Sequence, residues 1–198
     1  MIDKLGLFTD DFIPDKLVKG NVPSFLHDYD EVLSENSDED CQVLKCLWEI
    51  FGLTSFNNGL LWLIDPSIYK GSLMEFQGVT EKAVPFLRTA LGSFLVWDCI
   101  DDEYVIMYLD VHMNSYEHRE DSMLYFFEEN LPLEDYWEDE LNGEMESLAV
   151  GKITDLQSDE CVAFVPALVL GGEETQDSMQ KVKLIEHLFL LSQAHKKS

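Results

Sequence analysis

Basic residues are scarce in this chain: 13 Lys and Arg stand against 39 Asp and Glu, a formal net charge of -26 at pH 7. A surface of that sign repels phosphate backbones and anionic membranes, which argues against direct nucleic-acid binding and favours a basic partner. Cysteine is sparser still. Cys41, Cys46, Cys99 and Cys161 form no C-x-x-C pair and no zinc spacing, and are expected to be reduced and mostly buried in a cytosolic setting. No basic segment leads into an apolar run at the N-terminus, and no apolar run approaches the roughly 18 residues of a membrane span. The longest, Val162 to Leu170, is interrupted by Pro166. These features predict a soluble, cytoplasmic protein. Walker, G-x-S-x-G, Rossmann glycine and H-E-x-x-H patterns are all missing, so no familiar catalytic signature points to an enzyme and no cofactor is implied.

Apolar residues make up 46% of the chain, with 12 Phe and 4 Trp, enough to build a core despite the charge. At 198 residues it can bury roughly 70% of its unfolded surface, in one compact domain or two closely packed lobes. Residues 1–27 suggest short helical turns joined by loops. Asp28 to Asp40 follows with seven acids and no base, reading as a solvated loop or helix face. Val43, Leu44, Leu47, Ile50 and Phe51 recur at helical spacing after Asp40, a candidate N-cap, and before Gly52, a candidate C-cap. Asn57-Asn58-Gly59 reads as a turn before a strand at residues 60–64, and Pro66 to Tyr69 as a single turn.

A short helix is expected from Glu81 to Thr89, limited by Pro85. Residues 93–100 and 103–113 are strands joined by Asp101-Asp102, and Asn114 to His118 adds another. Glu120 to Gly151 contains eleven acids and no base, and reads as three helical pieces with Leu124, Phe127, Leu131 and Trp137 turned inward. A strand running into Pro166 then gives way to a Gly171-Gly172 turn, a polar loop and a closing helix capped by Thr175 or Asp177. In that helix Val182, Ile185, Phe189 and Ser192 share one side, with Leu184, Leu188 and Leu191 beside them, an apolar stripe suited to a sheet. Strands followed by helices imply α+β, a central antiparallel sheet with helices packed on it.

Few constellations promise chemistry. Asp98, Asp101, Asp102 and Glu103 cluster around a hairpin tip, and alternation puts Asp110 and His112 on one strand face. A divalent-metal site is conceivable there, although acids at hairpin tips also serve the turn itself. So many acids are present that pairing two for glycoside hydrolysis carries no specificity. His187 and the four tryptophans sit in apolar-periodic settings and are expected to pack.

The C-terminal residues carry a resemblance. Asp159-Glu160-Cys161, Phe164-Val165-Pro166-Ala167-Leu168, Leu170-Gly171-Gly172, Lys181-Val182-Lys183, Glu186-His187-Leu188 and Leu191-Ser192-Gln193 resemble the C-terminal domain of bacterial immunity proteins linked to type VI secretion. Phe51 to Tyr69 and Gly92 to Asp98 look like pieces of the GAD-like region that precedes it. The resemblance implies a GAD-like region over 1–118 and a helical immunity-type region over 119–198. It further implies a protein without catalysis that neutralises a cognate toxin, typically a nuclease, whose basic phosphate-binding surface an anionic protein would occupy. The residues expected to meet that partner are Asp98, Asp101, Asp102 and Glu103 at the tip, Glu134, Asp135, Glu138, Asp139 and Glu140 on a helix, and Glu173 and Glu174 in a loop. No metal, nucleic acid or membrane enters this reading. Its rivals are a small metal-dependent hydrolase using carboxylates near Asp98 to His112, and an acidic cytosolic adaptor whose charge is surface adaptation.

Overall fold

The computed structural model describes residues 6–15 and 39–197. Its framework is a six-stranded antiparallel meander in which every strand pairs with its sequence neighbours: β1 (Thr54–Phe56), β2 (Leu61–Leu63), β3 (Val84–Thr89), β4 (Phe94–Ile100), β5 (Glu103–Asp110) and β6 (Ser115–Glu120). The architecture is α+β, as expected. The β4–β5 link is a two-residue turn with Asp101 and Asp102 at φ 50° and 68°, the positive pair that a type I′ hairpin requires.

Both faces of the sheet are covered. On one lie α1 (Gly6–Asp11), α2 (Glu39–Phe51) and the helical run of α4 (Met123–Tyr125), a π-helical turn (Phe126–Asn130) and α5 (Glu134–Glu140). On the other lie α3 (Pro66–Leu73) and α7 (Leu184–His195), with a two-stranded sheet of β7 (Glu160–Phe164) and β8 (Met179–Lys183). Strand β4 shows how period-2 geometry serves both layers: Leu95 and Trp97 enter the first core while Phe94 and Val96 enter the second. A third apolar cluster gathers Ala90 and Leu91 of the β3–β4 turn with α6 (Gly143–Lys152) and strand β7. Among the described residues no helix is long and apolar enough to cross a membrane.

Helix α2 matches its periodicity, and Gly52 closes it at φ 65°. Its Asp40 lies inside the first turn, where the carboxylate accepts the Met123 backbone N–H at 2.7 Å. Residues 28–38 of the acidic stretch, and most of the segment 1–27, lie outside the described residues. Three expectations need correction. Residues 84–89 are not helical but form β3, buried along its whole length between β2 and β4. A strand covered on both faces shows no alternation, and Pro85 is accommodated by a register shift before Leu87. Pro66 starts a two-turn helix, α3, whose N-cap Asp65 accepts the Ser67 N–H at 2.9 Å.

The third correction concerns the closing helix, which begins only at Leu184. Residues 179–183 form β8 against β7, so neither Thr175 nor Asp177 caps it. Its buried side carries Leu184, His187, Leu188, Leu191 and Ser192, leaving Ile185 and Phe189 exposed. The β3–β4 turn fits tightly beneath it. Gly92 sits at φ 86°, and a Cβ there would meet Leu184 Cδ1 at 3.1 Å and Cys161 Cβ at 3.3 Å.

Candidate functional site: an acidic groove beside the sheet edge

Ser115, Glu117 and Arg119 of strand β6 turn to one face, Arg119 at the bulge where the register with β5 shifts between Ile106 and Met107. The end of α5 leans over that face. Asn142 takes a left-handed conformation at φ 56°, and at Gly143 an added Cβ would lie 2.2 Å from Trp137 Cδ1. The corner between α5 and α6 is thus drawn tightly onto Trp137, which sets Glu138, Asp139 and Glu140 facing β6. The result is a groove of about 600 Å³ whose lining includes Asp110, Glu117, Glu138, Asp139, Glu140 and Glu174 around one cation, Arg119.

Arg119 is held on all sides. It donates from Nε to the Glu140 carbonyl at 3.1 Å and from Nη2 to Glu117 Oε2 at 3.1 Å, and its guanidinium lies 5.2 Å from the Tyr108 ring centroid. Glu140 Oε2 approaches Nε at 3.5 Å. Glu174 is tied in by Asn142, whose Nδ2 donates to Oε1 at 3.0 Å. Asp110 serves the β5–β6 turn, accepting the backbone N–H groups of His112 and Met113 at 2.8 and 3.1 Å. Six carboxylates from four segments therefore share one concavity with a single, already engaged, guanidinium. Such a surface concentrates negative potential and attracts cationic groups.

The residues expected at the partner interface separate into distinct places. Glu138, Asp139, Glu140 and Glu174 line the groove, while Glu134 and Asp135 are exposed in the first turn of α5 and Glu173 is exposed in the loop before Glu174. Asp101, Asp102 and Glu103 are exposed at the opposite end of β5. The seven residue steps to Asp110 put them about 23 Å from the groove at roughly 3.3 Å per residue. Asp98 is a correction. It is fully buried and accepts the Thr80 N–H at 3.0 Å, the Tyr116 hydroxyl at 2.7 Å and the Cys99 N–H at 2.8 Å, so it cannot touch a partner. It also bonds the Thr80 hydroxyl. A tyrosine on β6 and the loop before β3 are thereby pinned to β4.

The carboxylate–histidine site of the hydrolase reading is not assembled. Asp98 pairs across from Val105, five positions from Asp110, which is about 16 Å at strand rise. His112 turns into the core, where its Nε2 lies 3.0 Å from the Leu91 carbonyl. Among the described residues no three His, Cys, Asp or Glu side chains gather as a metal site would require.

One of the eleven acids of residues 120–151, Glu146, does not face solvent. It is fully buried on α6, accepts the Leu91 N–H at 2.9 Å, and burial pushes its carboxyl up to about 8. Glu146 and His112 thus bracket both backbone groups of Leu91 and fix the β3–β4 turn. His187 packs 5.5 Å from the His112 ring, and burial first, then the neighbouring imidazole, pushes it down to about 3. Burial likewise lowers His112. Both rings are neutral packing elements, the role expected for His187 but not for His112, which the strand alternation set beside Asp110.

What this geometry defines is an acidic α+β protein with a surface groove, and the comparisons place it further. Residues 121–195 match the family described as T6SS immunity protein Tdi1, C-terminal. The match supports the type VI secretion immunity family that residues 159–193 resemble. It covers α5, Glu174 and α7, and so most of the groove's acids, and does not reach the GAD-like region. The crystal structure of Atu4351 from Agrobacterium tumefaciens superposes with a TM-score of 0.65 at 15% identity, over 95% of this chain and 88% of that chain. At that identity the likeness speaks for the fold alone. No curated protein matches the chain in sequence.

Proposed function

We propose that this chain is a non-enzymatic immunity protein that binds and neutralises a cognate secreted toxin, and that the toxin is a nuclease whose basic surface it covers. The observation that carries the reading is the coincidence of the family match over 121–195 with the groove acids Glu138, Asp139, Glu140 and Glu174 inside that segment. A nuclease needs a cationic surface to hold phosphates. A concave anionic site on rigid elements competes with nucleic acid for that surface, and the overall charge of -26 speeds the encounter. Binding in this scheme needs no cofactor, no metal and no membrane, and takes place in the cytoplasm where an incoming toxin would act. The exposed acids at Asp101, Asp102 and Glu103 belong to the long-range field in this reading and not to the contact.

Stopped-flow association with the toxin encoded beside the chain tests the proposal. Glu138→Lys with Asp139→Lys is expected to slow association about tenfold at low salt and to flatten its dependence on ionic strength. A rate constant and slope equal to the wild type's would remove the groove from the interface. Association that ignores salt in the wild type would favour the adaptor reading, in which the acidity is only surface adaptation.

A further inference from the structure

Helices α3 and α7 lie side by side on the sheet but do not close over each other. Between them runs a cleft of about 660 Å³ lined by Gly71, Ser72 and Glu75 on one side and by Ile185, Glu186 and Phe189 on the other. A smaller hollow of about 200 Å³ continues it past Ile185, with Ile68 and Leu53 on its walls. Ile68, Ile185 and Phe189 are 56%, 41% and 68% exposed. Ile185 and Phe189 are one helical turn apart, so the apolar row is continuous and not a scatter of single residues. The fold does not need them: Leu184, Leu188 and Leu191 already seat α7 in the core.

Gly71 sharpens the observation. It lies within α3, where glycine is the poorest residue short of proline, and a Cβ added there meets nothing within 4 Å. No neighbour and no unusual backbone angle requires a glycine at this position. Gly71 lines the cleft, so a side chain at this position would project into its open space.

Four carboxylates, Asp65, Glu75, Asp159 and Glu186, line the two hollows, and no Lys or Arg does. Lys196 and Lys183 reach Glu75 and Asp159 from outside. An apolar centre with a charged rim is the usual anatomy of a protein–protein interface. The rim's sign selects the occupant. A second copy would bring another chain at -26, and an anionic membrane would be repelled in the same way.

We infer that the α3–α7 cleft docks an amphipathic segment of the toxin, apolar residues entering between Ile68, Ile185 and Phe189 while flanking Lys or Arg meet the acidic rim. This rests on the immunity reading and adds a second, apolar anchor to the acidic groove. Anchors of this kind govern how long a complex lasts, whereas the charged groove governs how fast it forms.

The test measures dissociation from the adjacently encoded toxin, carried in a catalytically inactive form, by surface plasmon resonance. Gly71→Gln places a polar side chain in the cleft and Phe189→Glu reverses its character. Each is expected to raise koff at least tenfold, to leave the association rate within twofold, and to leave the melting temperature equal to or above the wild type's. Wild-type complex formation with both variants dissociating at the wild-type rate overturns the cleft alone. A wild-type chain that does not bind this toxin removes the cleft together with the immunity reading. Sedimentation showing a wild-type dimer that Phe189→Glu dissolves, or vesicle binding that it abolishes, overturns the assignment in favour of a second copy or a membrane.

Discussion

Replacing Glu146 by Gln isolates the cost of burying an ionisable group in the middle of the fold. The carboxyl accepts the Leu91 N–H and is pushed from an ordinary 4.5 to about 8, chiefly by burial. A carboxyl raised in the folded state favours the protonated native form. The stability it contributes is complete below about pH 4.5, declines as the unfolded chain ionises above that, and is exhausted once pH passes about 8. At about 1.4 kcal/mol per pH unit the total is at most roughly 5 kcal/mol, and relaxation around the group reduces it. Glutamine keeps an acceptor for Leu91 and cannot ionise. Urea unfolding at pH 5, 6.5 and 8 should therefore show Glu146→Gln close to the wild type at pH 5 and more stable by about 2–4 kcal/mol at pH 8. His187, shifted the other way and without a bond to Leu91, titrates in both proteins and cancels in the difference. Arg88, also fully buried, supplies the competing outcome. If its charge keeps Glu146 ionised, the variant would be less stable at every pH with no trend, and the account of this group would be refuted.

The other predictions follow from single contacts. Gly143→Ala should destabilise by about 2–3 kcal/mol, read as a lower melting temperature, because its Cβ would collide with Trp137 at 2.2 Å. Asp98→Asn should cost about 2–4 kcal/mol in chemical unfolding by weakening its bonds to Thr80 and Tyr116, yet leave the salt dependence of partner binding unchanged. His187 is pushed down to about 3, so its contribution is present above the ordinary 6.5 and lost as pH falls towards 3. His187→Met should accordingly move the acid-unfolding midpoint to lower pH, followed by circular dichroism.

Much of the framework was legible because local signals agreed with tertiary demands. The α2 periodicity faces a core, and the Asp101-Asp102 turn supplies the backbone angles its hairpin needs. Legibility failed where burial on two faces erased the pattern, as in β3, whose apolar run with Pro85 resembles a short helix as much as a strand. It failed again at β8. There Val182 and Ile185 happen to fall at helical spacing, while the strand is held by β7 and by Lys181 and Lys183 pairing with Asp155, Asp159 and Glu160. Composition located the acids but could not distinguish their environments. Asp98 and Glu146 turned out buried, and Glu117 joined a groove it shares with residues more than twenty positions away. That grouping depends on the α5–α6 corner at Asn142-Gly143 and on the edge position of β6, both consequences of packing between distant segments.

The central claim is that this molecule acts by covering a toxin, and survival of cells measures it most directly. Co-expression of the chain with the toxin encoded beside it, in cells that the toxin alone kills, should restore growth and keep chromosomal DNA intact. The restoration should fail when Glu138→Lys and Asp139→Lys are combined with Phe189→Glu, with the folded protein still present at wild-type levels. Death at the same rate with and without the wild-type chain would contradict the account.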